Sequence, residues 1–498
     1  MPSTPDVSSL SRTAEWAGVH AVVIGIGVSG FAAADNLVHV GATVTVLAES
    51  ATPEQQEKAE LLEVLGATVR IGTGASATLP DDTHLVVTSP GVPPTAPALA
   101  AAYSRNIPVW GEVELAWRLR DPEHPGRWLC LTGTNGKTTT VQMLDAILRK
   151  SGIRSVACGN VGLPIVEAVM DPEPYAVYAV ELSSFQLHYT HTMAAESAAV
   201  LNVAEDHLDW YTGPTGMADY AADKGRIYER VRTACVYNVQ DPVTEQLVRD
   251  ADVQEGARAI GFTLGTPGVG ELGVVDDVLA DRAFVEERRT SAAELCTLGD
   301  LASPAPHFVA NALAASALAR SVGVPAVAVR DALREFRPDG HRIQEVAVIR
   351  DVRYVDDSKA TNPHAAASSL QAYEHVVWVA GGLAKGATFD DLVKTVKHRL
   401  RGVVLLGRDR GVIADALARH APDVRVISVD DEDTSAMDRV VGAAADLAQP
   451  GRHRAAGPGM RVHGHVRELR CSRGCLRRVG PPPPGRVALR VTPGGRAG

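Results

Sequence analysis

The sequence contains no stretch approaching the roughly 20 uninterrupted apolar residues that a membrane-spanning helix requires. Its opening, Met1 to Trp16, also lacks the basic segment and apolar run of a secretory signal. No membrane span is expected, and the chain reads as cytoplasmic. Cysteine is scarce: Cys130, Cys158, Cys235, Cys296, Cys471 and Cys475 are spread irregularly over 498 residues, which excludes a disulfide framework and fits free thiols in a reducing compartment. His463, His465, Cys471 and Cys475 match no common zinc spacing, so no metal site is expected there. Short internal repeats are absent. Positive charge is in deficit over most of the chain. The net charge is -10, and residues 451–498 carry eleven Arg against one Glu, so residues 1–450 carry -20. An acidic body of that kind argues against nucleic acid as a partner.

What is present is ordinary globular material, 45% apolar and 22% charged, in a length that suggests roughly three domains. From Val19 to Arg120, short β-rich runs alternate with helical spacing, with strands expected at 20–24, 43–47, 68–71 and 85–88 and a helix over 51–65. A second series places strands at 127–132, 176–180, 198–202 and 234–238 and a long helix over 308–322. A third places strands at 353–355, 376–379, 403–406 and 424–429. This alternation predicts an α/β protein with parallel sheets. The breaks at Asp121-Pro-Glu-His-Pro-Gly126 and Arg337-Pro-Asp-Gly340 divide it into residues 1–121, 122–337 and 338–450. Beyond Ala448, Arg, Gly and Pro dominate and Pro481 to Pro484 exclude helix or central strand, so 451–498 is expected to stay outside regular structure.

The sharpest chemical signal is Gly133-Thr134-Asn135-Gly136-Lys137-Thr138-Thr139, after the strand at 127–132 and before a helix with apolar face Val141, Leu144, Ile147 and Leu148. Glycines let backbone N–H groups approach phosphate oxygens, a helix N-terminus favours anions, Lys137 adds a charge, and Thr138 is placed to reach magnesium. The general phosphate-loop pattern asks for glycine where this chain has Leu131, so the match fails at one position. ATP is nevertheless the expected ligand. Glu181 follows a strand, where α/β ligand sites lie, and can hold magnesium; His207 follows another strand and is a candidate ligand or positioning group.

In the first domain, Gly25-Ile-Gly27-Val28-Ser29-Gly30 follows a strand, with Glu49 nineteen residues beyond Gly30. That spacing fits a dinucleotide fingerprint, which leaves an NAD-linked enzyme open, yet the same turn would hold the diphosphate of another nucleotide. In the third domain, Asp356-Asp357-Ser358-Lys359-Ala-Thr361-Asn362 and Gly381-Gly-Leu-Ala-Lys385-Gly386 each follow a strand, and two lysines at one sheet edge suit an anionic substrate.

Taken together, these motifs resemble the bacterial Mur ligases, ATP-dependent amide-forming enzymes of peptidoglycan precursor synthesis. The resemblance is carried by Gly133-Thr-Asn-Gly-Lys-Thr138, Gly159-Asn-Val-Gly-Leu-Pro164, Glu181-Leu-Ser-Ser-Phe-Gln-Leu187, Asn202-Val-Ala-Glu-Asp-His-Leu-Asp209, His307 with Asn311, and Asp357-Ser-Lys-Ala-Thr-Asn362. Thr88-Ser89-Pro-Gly-Val and Gly111-Glu-Val-Glu-Leu most resemble the D-glutamate-adding branch. The resemblance covers about residues 18–450. It implies a Rossmann-like unit for a uridine nucleotide, a central ATPase, and a Rossmann-like C-terminal unit. The substrates implied are UDP-N-acetylmuramoyl-L-alanine and D-glutamate, consumed by a monomer with ATP and two magnesium ions. NAD then has no place. The runner-up is another Mur-type or folylpolyglutamate-type ligase; a different class is a nucleotide-binding homologue whose altered end has cost it the acceptor site.

The resemblance also assigns residues. Lys137 stabilises the transferring phosphoryl group, Thr138 and Glu181 hold one magnesium, and His207 helps hold a second with Lys224, at the position the family carbamylates. Gly25, Gly27, Val28, Ser29, Ser89, Asn160 and Ser183 face the uridine substrate. Asn311 is assigned to the adenine region, Arg342 and Asp357 to the phosphates and ribose, and His341, Lys359, Thr361 and Lys385 to the ligation site, the last two near D-glutamate. Two departures stand out: Glu49 occupies a position where the family has Asp at the uracil end, and nothing after Pro450 resembles the family's last strand and acceptor segment. Out-of-frame reading of GC-rich DNA past Gln449 gives such a compositional break; a divergent tail is the competing reading.

Overall fold

Three sheets, each with its own helices, organise the chain in a computed structural model. The model describes residues 6–448, apart from 339–343, 350–351, 359, 361, 372, 383, 385–386 and 430–435, together with the backbone of 460–466. The first sheet is β1 (His20–Ile24), β2 (Thr43–Ala48), β3 (Thr68–Ile71), β4 (Leu85–Thr88) and β5 (Val109–Gly111), in the order β3-β2-β1-β4-β5 and parallel throughout. β1 and β4 are buried along their whole length, as strands covered on both faces must be, which is why they read as continuous apolar runs.

The second sheet has nine strands. Its parallel part comprises β6 (Arg127–Thr132), β7 (Ser155–Gly159), β8 (Val177–Glu181), β9 (Ser197–Val200), β10 (Ala234–Asn238) and β11 (Arg258–Phe262). β12 (Glu271–Val275) pairs parallel with β11, and β13 (Val278–Asp281) and β14 (Ala293–Thr297) continue antiparallel at the edge. The order is β14-β13-β12-β11-β10-β9-β6-β8-β7. β12 and β13 are joined by Asp276 and Asp277, and Asp276 adopts φ 54°, the left-handed conformation that tight hairpin turns demand. The long helix Pro306–Ser321 and helix Lys137–Lys150 pack Leu313, Leu318, Val141, Leu144 and Ile147 into this sheet's core.

The first two sheets belong to one body, built from the described parts of 1–203 and 213–337. Across residue 121 the two sheets are joined by apolar packing, with the Trp117 and Trp128 rings edge to face at 5.1 Å, and by buried acids. Helix Glu112–Arg118 leaves β5 carrying two acids, Glu112 and Glu114, that are 2% and 0% exposed. Burial raises the Glu114 carboxyl most strongly, but bonds from Thr192 Oγ1 (2.6 Å), Thr192 N (2.9 Å), His191 N (2.8 Å) and Arg118 Nε (2.8 Å) outweigh it and hold the group below its ordinary range. Glu112 accepts from Val166 N at 2.8 Å, while Gly111 N donates to Tyr189 O at 2.9 Å.

A second body contains the described parts of 204–212 and 338–498. Its sheet consists of β15 (Gln344–Ile349), β16 (Val352–Asp356), β17 (Val376–Gly381), β18 (Leu400–Leu406), β19 (Arg425–Ser428) and β20 (Met460–Val466), in the order β15-β16-β20-β17-β18-β19. The expectation that residues beyond 450 stay outside regular structure is corrected by β20, whose backbone pairs parallel with both β16 and β17. The physical reason is legible afterwards. Met460, Val462 and Val466 fall at alternate positions, a strand period, and β16 and β17 are separate strands that a third strand can join. Residues 449–459 and 467–498 lie outside the described residues.

Among the described residues, Cys130, Cys158, Cys235 and Cys296 are free and buried, and no helix is long and apolar enough to cross a membrane. Burial pushes Glu112 up to about 7, with Glu167 adding to the shift. A carboxyl whose folded pKa lies above its unfolded value contributes stability below the unfolded value, near 4.5, and loses it as pH rises through 7. Glu112→Gln, which cannot ionise, should therefore melt increasingly above the parent chain between pH 5 and pH 8. Thermal melts of both proteins across that range check this, and a constant offset would contradict it.

Candidate functional site

β6 lies between β9 and β8 in the parallel part of the second sheet and ends at Thr132, so the Gly133–Gly136 turn opens at the C-terminal edge, where parallel α/β sheets bind ligands. Gly136 adopts φ 84°, and a β-carbon there would collide with the Asn311 side-chain oxygen; glycine is required for both reasons. Helix Lys137–Lys150 starts immediately after, with no side-chain cap on its first turn. An anion supplied from outside suits those N–H groups.

The loop is held from several sides. Asn202, just past β9, accepts from Asn135 N at 2.9 Å and donates from Nδ2 to Asn135 O at 3.1 Å, while its own carbonyl takes Thr134 N at 3.0 Å. Thr134 Oγ1 shares a hydrogen bond of 3.0 Å with Tyr220 OH. Lys137 Nζ donates to Gly133 O (2.9 Å) and Thr134 O (3.1 Å), so the lysine folds back across its own loop. Lys224, 1% exposed, donates to the same Gly133 carbonyl at 3.1 Å and stands 4.5 Å from the centre of the Tyr220 ring. Expected sites far apart in sequence thus meet at one loop: Gly133, Thr134, Asn135, Gly136, Lys137, Lys224 and Asn311. Thr138 and Thr139 follow in the helix's first turn. Asn311, expected near the adenine, lies against Gly136.

Glu181 ends β8, in register with Leu131 of β6 and Gly159 of β7. It is 1% exposed; Oε1 accepts from Asn160 Nδ2 at 2.9 Å and Oε2 is buried without a hydrogen-bond partner. An orphaned carboxylate oxygen in so buried a position is costly unless a cation meets it. Among the described residues no group of three or more His, Cys, Asp or Glu is arranged around a metal. Magnesium suits such a sparse donor set, because it is commonly held by one or two protein oxygens together with phosphate oxygens.

In the first domain, Gly25 (φ 93°) and Gly30 approach so closely that a β-carbon on Gly30 would strike the Gly25 carbonyl. Gly27 caps helix Val28–His39 without a side chain, Val28 is exposed, and Ser29 lies in the same first turn. The Ser89 hydroxyl is buried beside this turn with no hydrogen-bond partner. Two of the expected substrate residues also make hydrogen bonds within the chain. Glu49 accepts from Gly74 N (2.7 Å), Ser76 N (3.0 Å) and Ser76 Oγ, bonds that lower its pKa, the Ser76 hydroxyl most. Ser183 caps the short helix Ser184–His188 in a reciprocal box with Gln186. The Gly72–Ala77 turn that takes up Glu49, and the hydroxyl of Tyr220, were not singled out from sequence.

His207 belongs to the second body and has φ 57°, with its Nε2 3.6 Å from Asp206 Oδ2. Asp206 also accepts from Asn362 Nδ2 at 3.3 Å, which ties the Asn202–Asp209 motif to the Asp357–Asn362 motif. Asp357 is 4% exposed. His341, Arg342, Lys359, Thr361 and Lys385 lie outside the described residues.

Gly136→Ala should raise the concentration of ATP needed for half-saturation by about tenfold or more, since it adds left-handed strain of roughly 1–2 kcal/mol to the clash with Asn311. Nucleotide titration followed by fluorescence or calorimetry checks this; unchanged affinity would show that the turn does not hold the nucleotide.

Three family models match in succession: Mur ligase MurD-like N-terminal domain over 19–111, Mur ligase middle domain over 131–319, and Mur ligase glutamate ligase domain over 341–453. The chain is 57% identical over 436 residues to UDP-N-acetylmuramoylalanine–D-glutamate ligase of Streptomyces avermitilis, covering 88% of this chain and 92% of that protein. The Thermobifida fusca protein of the same name is 52% identical over 439 residues, with the same coverage. Among solved structures, UDP-N-acetylmuramate-alanine ligase from Thermotoga maritima superposes with a TM-score of 0.50 at 20% identity, covering 90% of this chain and 95% of that one, a likeness of fold. Matched domain by domain and related at this level along nearly nine-tenths of its length, the chain belongs to the Mur ligase family.

Proposed function

We propose that the protein joins D-glutamate to UDP-N-acetylmuramoyl-L-alanine with cleavage of ATP to ADP and phosphate, in the cytoplasm and as a monomer. The observation that carries this reading is the braced phosphate loop beside the orphaned Glu181 oxygen, in a chain 57% identical to ligases named for that reaction. The working division is residues 1–121 for the uridine nucleotide, 122–337 for ATP and 338–450 for the acceptor amino acid.

A carboxylate is a poor electrophile and must be activated. A substrate carboxylate oxygen attacks the γ-phosphorus, the bond to the β,γ-bridging oxygen breaks, and ADP leaves, giving an acyl phosphate. The amine of D-glutamate then attacks the acyl carbon, loses a proton, and phosphate departs as the amide forms. The protein's share is positioning and charge stabilisation. Lys137 leaves its resting bonds to Gly133 and Thr134 to meet the γ-phosphoryl oxygens. Gly133 to Gly136 and the first turn of the following helix, with Thr138 and Thr139, bind phosphate through backbone N–H groups.

Thr138 and Glu181 would hold one magnesium, which when bound neutralises charge on the phosphates. The motif resemblance supports a second at His207 and a carbamylated Lys224; Lys224 is lodged against the phosphate loop. Asn160 and Ser89 serve the uridine substrate, with Gly25, Gly27, Val28 and Ser29 around its diphosphate. Arg342 and Asp357 serve ATP, His341 and Lys359 the ligation step, and Thr361 and Lys385 the D-glutamate carboxylates.

A second reading has one observation behind it: the glutamate ligase domain model ends at residue 453, leaving the Arg/Gly/Pro-rich remainder unmatched. A chain that binds both nucleotides but has lost its acceptor pocket would fit that. One assay separates the two. The full chain, given ATP, magnesium and UDP-N-acetylmuramoyl-L-alanine, should release ADP when D-glutamate is added and not with other amino acids. Binding of both nucleotides without release would overturn the ligase reading. Lys137→Ala should reduce turnover by about a thousandfold, as expected for losing a phosphoryl-stabilising cation.

A further inference from the structure

Glu112 is a buried ionisable group for which the reaction scheme has no use. It opens a helix of the first domain, is 2% exposed, and directs Oε1 to Val166 N, 2.8 Å away on helix Ile165–Met170 of the second domain. Its Oε2 is buried without a hydrogen-bond partner. Helix Ile165–Met170 starts after Pro164 and has no side-chain cap of its own, so the carboxyl that meets its first turn comes from the other domain.

The segment leading into that helix is the Gly159–Pro164 loop. At its other end the loop is anchored by Gly159 N to Leu163 O (3.0 Å), Asn160 N to Glu181 O (2.8 Å) and Asn160 Nδ2 to Glu181 Oε1 (2.9 Å). The segment from Gly159 to Val166 is therefore fixed at both ends, by Glu181 at Asn160 and by Glu112 at Val166. An acid so placed is expensive to bury unless it holds something in place.

We propose that Glu112 is a positioning residue for the uridine-nucleotide substrate: from the first domain it pins the Gly159–Pro164 loop of the second, and so sets the position of Asn160. The proposal rests on the reading that Asn160 serves that substrate. It makes the docking of the two domains, rather than the loop's own sequence, responsible for the loop's geometry.

The test compares the full chain with Glu112→Ala and Glu112→Gln, the second keeping an oxygen for Val166. Hydrogen exchange is read on peptides spanning 157–170, and calorimetry gives Kd for UDP-N-acetylmuramoyl-L-alanine and for ATP. In the alanine variant, exchange over 160–166 should quicken and Kd for the uridine substrate should rise about tenfold, with Kd for ATP within about twofold; the glutamine variant should restore both. Unchanged exchange and unchanged Kd in the alanine variant would overturn the proposal. So would a parallel weakening of both ligands with general loss of protection, the mark of a merely structural acid. Binding and exchange do not depend on turnover. A parent chain that binds the uridine substrate but releases no ADP would count against the ligase reading alone.

Discussion

The Gly133–Gly136 turn is held in one geometry, and nearly every neighbouring element contributes to keeping it so. Asn202 past β9 ties both sides of Asn135, Tyr220 and Lys224 reach in from helix Gly216–Gly225, and Asn311 closes against Gly136 from helix Pro306–Ser321. None of these contacts is strong by itself, since a net hydrogen bond contributes about 0.5–1.5 kcal/mol. Their value is geometric. A loop preorganised to receive phosphate charge need not reorganise when that charge arrives.

The same economy governs the join between the first two sheets. Val113, Leu115, Ile165 and Val166 are buried there, and Glu112 and Glu114 reach across to backbone N–H groups at 166 and 191–192. Glu114 is fully satisfied, which is what permits its complete burial. Glu112 is only half satisfied, and burial lifts it to about 7. The contrast between two acids two residues apart shows that partners, not burial alone, decide whether a buried carboxyl ionises.

Much of the fold was legible because strands covered on both faces must be apolar runs. β1, β4 and β6 occupy the residues that such runs indicate, and β3 and β10 also fall where expected. The phosphate loop was legible despite Leu131, because strand, glycines, lysine and helix follow one another locally. Harder features depend on partners distant in sequence. That Gly74 and Ser76 bond both oxygens of Glu49 could not be read from its spacing to Gly30. Nor could the bonds by which Ser183 caps a helix. β20 was hidden by the Arg/Gly/Pro excess around it, although its seven residues carry the alternation of a strand.

By itself the sequence determined the elements, their α/β class and the family, since these depend on local period and on motifs whose residues are adjacent. It also determined that a glycine turn at Gly133 to Gly136 would join a strand to a helix. Only the tertiary structure decided that Lys137 and Lys224, 87 positions apart, share the Gly133 carbonyl, that Asn311 braces Gly136, and that one oxygen of Glu181 is left over. It also decided that the first two sheets form one body. The physical reason is that hydrogen-bond satisfaction is a property of three-dimensional neighbourhoods: whether a polar atom has a partner depends on what folds against it, and no spacing along the chain records that.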